Sequence, residues 1–159
     1  MDVLFLFEWL DTSLLAQISK SSGGVFAAVQ TVHLGAMALL GGMLLVSDLR
    51  LLNVLMKDVP VQVVMENTRN WITIALVAMI LSGIFMASAV AIKLYYNMFF
   101  WSKMAGLVMG LIFFYGIKTP LIRGDEFNTL NPWILRLVAI ASLTIWFSVA
   151  ASGRWIGFS

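Results

Sequence analysis

Four long apolar segments, separated by short polar connectors, dominate the pattern of residues along the chain. Each segment has about 20 residues, the length of α-helix that crosses a bilayer core of about 30 Å. Because lipid offers no partner to unpaired backbone groups, these segments are expected to be helical. The pattern therefore predicts one integral membrane domain over residues 1–159, an all-α transmembrane four-helix up-and-down bundle with spans at about 24–46, 71–92, 99–117 and 133–151.

The segment before the first span, residues 3–19, has a different pattern. Apolar residues recur there at near-helical spacing, and Glu8 and Asp11 interrupt them. This pattern predicts an amphipathic helix in the membrane interface, or alternatively a short helix packed against the end of the bundle. The start is acidic and no small-residue cleavage site follows it, so a signal peptide is not expected.

Aromatic and charged residues at the segment ends suggest how the helices sit in the membrane. Trp71 is predicted to open the second span at the interface, Lys103 to extend its side chain toward headgroups, and Arg154 to anchor the end of the fourth span. The connectors between spans carry more cations than the terminal side, which favours cytoplasmic connectors with both termini on the outer side of the membrane. The cations counted on the connector side are Arg50, Lys57, Arg69, Lys118, Arg123 and Arg136, against Lys20, Lys93, Lys103 and Arg154.

Composition supports a membrane protein and narrows its chemistry. Hydrophobic residues make up 61% of the 159 residues and charged residues 11%, against about 25% charged in a typical soluble domain. The sequence contains no cysteine and no basic run, so disulfides, thiolate metal sites and nucleic-acid binding are not expected. We find no nucleophile–base pair, phosphate loop or paired carboxylates, which favours a non-enzymatic role.

His33, the single histidine of the chain, lies inside the first apolar segment with Gln30 and Met37 one turn away. Imidazole commonly binds haem iron and copper, and methionine sulfur suits copper(I) or haem iron. His33 and Met37 are therefore a candidate copper or haem b site. A structural histidine, hydrogen-bonded to Gln30 or Ser82, is the alternative. Other methionines that a neighbouring span could supply are Met79, Met86, Met104 and Met109.

A single histidine also excludes some sites within one chain. Haem held by two histidines of the same chain is impossible, and so is a zinc site with three histidine nitrogens. Haem b would need methionine as the second ligand, one axial ligand only, or a partner subunit.

Asp48 and Arg50 lie at the end of the first span. Asp48 is 15 residues from His33, about 22 Å along a helix, so the two cannot share a small site. We expect Asp48 and Arg50 to form an interfacial charge pair, with Arg69 or Asn70 at the start of the second span as further partners.

Four stretches, FEWLDTSLLAQI, TVHLGAMALLGGMLLVSDLRLL, NMFFWSKM and SVAASGRWIGF, resemble an uncharacterised family of bacterial four-helix inner-membrane proteins. That family is loosely similar to the membrane part of CopD-type copper-resistance proteins. The resemblance implies a multi-pass protein of the bacterial inner membrane, whose outer-side termini would then be periplasmic, paired with a periplasmic copper protein. Family members often have a second histidine at the end of the third helix, where Tyr115 or Lys118 stands in this chain. The motif residues that carry over are His33, Asp48, Leu49, Arg50, Lys103, Gly153 and Arg154.

Two functional hypotheses follow. The first is a membrane component that handles copper or holds haem through His33. The second is a structural or accessory subunit of a larger membrane complex, or a homo-oligomer, with no ligand of its own. This second hypothesis rests on the glycine-rich face of the first span, where Ala38 and Gly42 are spaced for close approach of another helix.

Overall fold

The computed structural model describes residues 3–124, 127 and 129–158. The α-helices in this part of the chain are α1 (Leu4–Thr12), α2 (Leu14–Ser21), α3 (Gly23–Leu51), α4 (Val61–Ser88), α5 (Ala91–Tyr95), α6 (Met98–Ile112), α7 (Thr119–Arg123) and α8 (Pro132–Trp155). A π-helical segment, Phe113–Lys118, joins α6 to α7, and a 3₁₀ turn, Ile156–Phe158, follows α8. Four helical segments are long and apolar enough to cross a membrane: α3, α4, α6 continuing to Arg123, and α8 with its 3₁₀ turn.

These four spans form the predicted transmembrane bundle. α3 packs against α4 on one side and α8 on the other, α8 packs against α6, and α7 returns to α4. The apolar core between them includes Leu40, Leu44, Ile72, Met79 and Phe114. Large apolar side chains remain exposed on the outward faces, as expected for contact with lipid. Examples on α4 and α8 are Ile74, Val77, Leu81, Ile84, Leu137, Ile140 and Phe147.

The second span begins earlier than the sequence pattern predicts. α4 starts at Val61, directly after Pro60, and ends at Ser88. Trp71 therefore lies well inside the helix, with its side chain 52% exposed, and its place at the membrane interface stays a prediction. Residues 61–70, expected to be a connector because they are polar, are helical instead, since polarity alone does not end a helix.

The third span is longer than predicted and contains the π-helical segment. It runs without a break from Met98 to Arg123, whereas the predicted span ends at residue 117 and a loop follows. Pro120 accounts both for the loop that was predicted here and for the π-helical segment that the structure contains. In a regular α-helix its ring would collide with the carbonyl four residues earlier, and the wider π turn relieves this clash. The Thr119 N–H accordingly bonds to the carbonyl of Phe114, five residues back.

The amphipathic N-terminal segment consists of two short helices, where one was predicted. The break lies at Ser13, whose hydroxyl accepts a hydrogen bond from the Ala16 N–H and so caps α2. α1 has no buried residue, but the Phe7 ring contacts the rings of Tyr95, Phe100 and Trp101. α1 thus packs against the end of the bundle, the alternative expected from the sequence, and its place in the membrane interface stays a prediction.

Glycines set the distance between α6 and α8. A Cβ atom on Gly106 would lie 2.8 Å from Cγ2 of Val149, and one on Gly110 would lie 3.0 Å from the Trp146 ring. Gly106 and Gly110 are four residues apart, so they form a small-xxx-small motif that lets the two backbones approach closely. The small-xxx-small pair predicted from the sequence, Ala38 and Gly42, is a different pair. It lies on α3 and takes no part in the contact between α6 and α8.

Candidate functional site

His33 faces α4 from the middle of α3. Its Nδ1 atom lies 2.9 Å from Oγ of Ser82, so one of the two hydrogen-bond partners proposed from the sequence is confirmed. The ring also lies over Gly83, where a Cβ atom would be 3.4 Å from Cε1 of the histidine. The small residue at position 83 therefore makes room for the imidazole between the two helices.

Two contacts of the Ser82 hydroxyl bear on the tautomer of His33. The hydroxyl oxygen lies 2.6 Å from the backbone carbonyl of Ala78 and 2.9 Å from Nδ1 of His33, and the hydroxyl has one proton to donate. When that proton goes to the Ala78 carbonyl, Oγ accepts from Nδ1–H and Nε2 keeps its lone pair; when it goes to Nδ1, the imidazole proton is on Nε2. The first arrangement is the one that suits a metal-ligating histidine, with Nδ1–H anchored by an oxygen acceptor.

Met37 and Met79 line one cavity next to this histidine. The cavity has a volume of about 70 Å³ and lies between α3, α4, α6 and α8. Met79, on α4, is buried, whereas Met37 is 42% exposed. Of the methionines proposed from the other spans, Met79 is the one that shares the cavity with Met37. Among the described residues, no three His, Cys, Asp or Glu side chains cluster as a metal site would require, so methionine sulfur would have to supply the other ligands.

Lys103 lines the same cavity from α6. Its stem packs over Gly153 of α8, where a Cβ atom would be 3.5 Å from the lysine Nζ. Within the described ranges, Nζ has neither a hydrogen-bond acceptor nor an ion-pair partner. The cavity therefore contains a cationic group without a counterion.

Asp48 belongs to a second polar site, closer to the other end of the bundle. Its Oδ1 lies 2.5 Å from Nζ of Lys118, and both side chains are completely buried. Ser142 of α8 donates to Oδ2 of Asp48 at 2.7 Å, and Lys118 also donates to Oγ of Ser47 at 2.8 Å. Three spans thus meet at one carboxylate, and both charges of the pair are hydrogen-bonded.

The predicted pairing of Asp48 with Arg50 is wrong. Arg50 points to the connector between α3 and α4, where Nε donates to the Val59 carbonyl at 2.7 Å and Nη2 to the Lys57 carbonyl at 3.3 Å. Nη1 donates to the side chain of Asn53. Residues two apart in a helix do not share a face, so Asp48 turns inward while Arg50 stays at the helix end.

Neither Arg69 nor Asn70 replaces Arg50 as the partner of the carboxylate, because Lys118 and Ser142 occupy its oxygens. His33 and Asp48 do belong to separate sites, as predicted. His33 contacts α4, whereas Asp48 contacts the π segment and α8.

Arg154, at the end of α8, is exposed. Its guanidinium lies 4.5 Å from the centre of the Phe158 ring, a cation–π contact that suits an interfacial anchor. Asp11, an acid in the N-terminal segment, forms an ion pair with Lys20 at 2.8 Å.

Sequence reasoning missed Lys118 and Ser142 as members of a buried site. Lys118 was predicted in a loop because Pro120 follows it closely, although the apolar residues Leu121 and Ile122 continue the span. Tyr115, the other residue near the second histidine position of the resembled family, bonds through its hydroxyl to Oγ1 of Thr73 at 2.7 Å. Both residues therefore join the third span to its neighbours.

Comparison with known protein families matches residues 6–159 to a family of unknown function, DUF6644. The chain belongs to this family. No curated protein and no solved structure matches the chain. Membership of DUF6644 supports the resemblance to an uncharacterised family, while the similarity to CopD-type proteins stays a prediction.

Proposed function

We propose that this multi-pass membrane protein handles copper(I) in the bacterial inner membrane, with His33 as the primary ligand. The observation that carries the proposal is the hydrogen bond between Nδ1 of His33 and Ser82, because, with the Ser82 proton donated to the Ala78 carbonyl, it leaves the Nε2 lone pair free for a metal. A neutral imidazole held in this way is a common metal ligand. Met37 and Met79 would supply thioether sulfur from the adjoining cavity.

The chemistry of these side chains favours copper(I) over other ions. One imidazole nitrogen and two thioethers form a soft, uncharged ligand set, which suits a soft monovalent cation. Lys103 lies in the same cavity, so a divalent cation would meet stronger repulsion there than a monovalent one. Hard ions such as magnesium or calcium would also lack carboxylate and carbonyl oxygens for coordination.

Haem b is less well supported than copper. The cavity beside His33 has a volume of about 70 Å³, whereas sites for ligands of drug size are about 300–1,000 Å³. A larger space of about 550 Å³ lies between α3 and α8, but neither His33 nor Met37 lines it. A macrocycle with His33 as its ligand would therefore have to sit between this chain and another subunit.

Copper(I) would be cargo of the protein, and the fold suggests the side from which it arrives. His33 is ten residues after the first residue of α3, Gly23, or about 15 Å along the helix. If the chain termini are periplasmic, as the distribution of cations predicts, His33 lies toward the periplasmic side. A periplasmic copper protein would then be the partner that delivers or receives the ion.

Purified protein in detergent tests the proposal through competition with a copper(I) chelator under anaerobic conditions. We expect one copper(I) per chain, lost in His33→Ala and weakened in Met37→Leu and Met79→Leu. Met98→Leu is the matched control, because Met98 is 81% exposed on α6 and does not line the cavity. Equal copper binding by the original protein and His33→Ala would contradict the proposal, as would an absorption spectrum with a haem Soret band.

A structural or accessory subunit is the second candidate function, favoured by the outer face of α3. Gly35, Ala38 and Gly42 are exposed there, and a Cβ atom on either glycine would meet no atom within 4 Å. The face is therefore open to another helix, either from a second copy or from a different subunit. Gly42→Leu should shift the protein, extracted in mild detergent, to a smaller assembly on native electrophoresis. An unchanged size equal to one chain would contradict this candidate.

A further inference from the structure

The four spans divide into two closely packed pairs, α3 with α4 and α6 with α8. Gly106 and Gly110 bring the α6–α8 pair together, because Cβ atoms there would lie 2.8 Å from Val149 and 3.0 Å from the Trp146 ring. Among the described residues, neither α3 nor α4 packs closely along α6, and α3 approaches α8 less extensively than it approaches α4. The two pairs are therefore separate packing units within the bundle.

The cavity beside His33 and the larger space between α3 and α8 both lie between these two pairs. They share the lining residues Gly41, Leu44, Trp146 and Ala150, so the two spaces adjoin. Protein interiors are close-packed and hold few voids larger than a water molecule, whereas volumes of about 70 Å³ and about 550 Å³ are left here. The contact between the pairs is therefore loosely packed, and the pairs can separate there without breaking either one.

A buried polar cluster joins the two pairs near the connector between α3 and α4. Asp48 of α3 accepts hydrogen bonds from Ser142 of α8 and from Lys118 of the third span, and all three side chains are completely buried. Asp48 lies three residues before the end of α3, Leu51. Breaking a buried, hydrogen-bonded charge pair is costly, so this polar cluster of Asp48, Lys118 and Ser142 keeps one end of the interface together.

The π-helical segment of the third span connects the two pairs beside this polar cluster. α6, which precedes the segment, packs against α8, whereas α7, which follows it, packs against α4. Pro120 has no N–H to complete a regular helix, and the Thr119 N–H reaches back five residues to the Phe114 carbonyl. Helices bend at prolines and at π turns. The third span can therefore bend here while its two halves stay packed on different pairs.

Phe7 bridges the pairs at the opposite end of the bundle. It belongs to α1, which leads into α2, and α2 packs against α3 and α4. The Phe7 ring reaches across to α6, with its centroid 5.9 Å from that of Phe100 and 5.8 Å from that of Trp101. α1 has no buried residue, so ring contacts rather than a buried core hold it against α6. Such contacts are weaker than a buried ion pair, so this end of the interface opens first.

We propose that the α6–α8 pair pivots on the polar cluster, that Phe7 is the latch at the other end, and that the movement opens the cavity beside His33 toward α1. α6 has 15 residues, or about 22 Å, so a rotation of about 10° moves its far end by about 4 Å. The opening gives a copper ion or its partner protein access to His33, and this role rests on the proposed function. The movement itself depends only on how the helices pack.

Distances between paired nitroxide labels test the pivot in the full-length protein in mild detergent, since the chain has no cysteine of its own. Labels at Ile84→Cys on α4 and Met98→Cys on α6, both exposed, report the latch end. Labels at Val63→Cys on α4 and Ile134→Cys on α8, also exposed, report the end near the polar cluster. We expect the latch-end labels to show a second population, about 4 Å beyond the main distance, and the other labels to show a single distance.

Phe7→Ala should raise this second population by about two- to tenfold, the effect of losing one aromatic pair contact. Phe5→Ala is the matched control, because Phe5 is 63% exposed on the same helix and takes no part in the ring contacts of Phe7. It should leave the distances unchanged. In the copper-loaded protein, Phe7→Ala should speed copper(I) transfer to a chelator by a similar factor, with the equilibrium affinity nearly unchanged.

The pivot is overturned if the latch-end labels show one distance in both the original protein and Phe7→Ala, or if both label pairs broaden equally. Copper binding together with a single, unchanged distance would reject the pivot and retain the copper proposal. A second, longer distance in a protein that binds no copper would retain the pivot and reject the copper proposal.

Discussion

Lys118 and Asp48 form an ion pair inside the bundle although 70 positions separate them in the chain. The pair joins the first and third spans, and Ser142 adds the fourth through the second carboxylate oxygen. Such a pair is costly to assemble in an apolar environment, but breaking it by removing one partner costs still more, since a buried charge is left without compensation.

We therefore predict that Lys118→Met and Asp48→Leu each destabilise the fold, Lys118→Met by about 3–5 kcal/mol. The double variant Asp48→Leu/Lys118→Met should be more stable than Lys118→Met alone, because no buried charge remains. Unfolding by a denaturing detergent, followed by circular dichroism, measures both effects. Lys93→Met, at an exposed lysine, is the control and should unfold like the original protein. Additive losses in the double variant would show that the two charges do not interact.

Ser82 is predicted to set copper affinity through the tautomer of His33. Ser82→Ala removes the acceptor for Nδ1–H and frees the ring to rotate or to move its proton to Nε2. Loss of such a supporting hydrogen bond typically lowers metal affinity by about 10- to 100-fold. Ser148→Ala is a suitable control, because the exposed Ser148 hydroxyl bonds only within α8. Anaerobic chelator competition measures both variants, and equal affinities would exclude this role of Ser82.

Close contact between α6 and α8 should make Gly106 intolerant of a side chain. Gly106→Ala places its Cβ atom 2.8 Å from Cγ2 of Val149, and such overpacking costs about 1–3 kcal/mol. Gly106→Ala/Val149→Ala should recover part of the loss, since the contacting methyl group is gone. Gly41→Ala, where a Cβ atom meets nothing within 4 Å, is the control. Detergent-unfolding midpoints report all three, and a neutral Gly106→Ala would refute the packing argument.

Arg50 is predicted to hold the connector between α3 and α4 in place. Arg50→Ala removes its hydrogen bonds to the carbonyls of Val59 and Lys57, so the connector should open more often. Trypsin should then cleave after Lys57 several times faster in mild detergent. Arg50→Lys should rescue poorly, because an ammonium cannot reproduce the fixed fork of the guanidinium. Cleavage at Lys57 that is unchanged in Arg50→Ala would mean that the connector is held by other contacts.

The spans themselves were predictable because each depends on a local property. An apolar run of sufficient length must be helical in lipid, whatever its neighbours are. The helices themselves extend further than predicted at the start of the second span and the end of the third. Residues 61–70 are polar yet helical, and Pro120 permits the helix to continue through a π turn. Helix ends therefore depend on how neighbouring residues satisfy the backbone, which hydropathy does not report.

The candidate site was only half predictable for a similar reason. His33 was evident as a single imidazole in an apolar run, and Ser82 was among the partners proposed for it. Lys118 was predicted in a loop and Asp48 at the interface, because their partnership exists only when the first and third spans are packed together. No local pattern connects residues so far apart in the chain.

By itself, the sequence determined the all-α membrane class, the four spans and the position of the histidine within the first one, since these follow from apolar length and residue identity. Only the tertiary structure decided which polar groups meet. It paired Asp48 with Lys118, turned Arg50 to the connector and left Lys103 without an anion among the residues described. The physical reason is that burial in lipid constrains each helix separately, whereas the partners of a buried charge depend on the rotation and register of helices against one another.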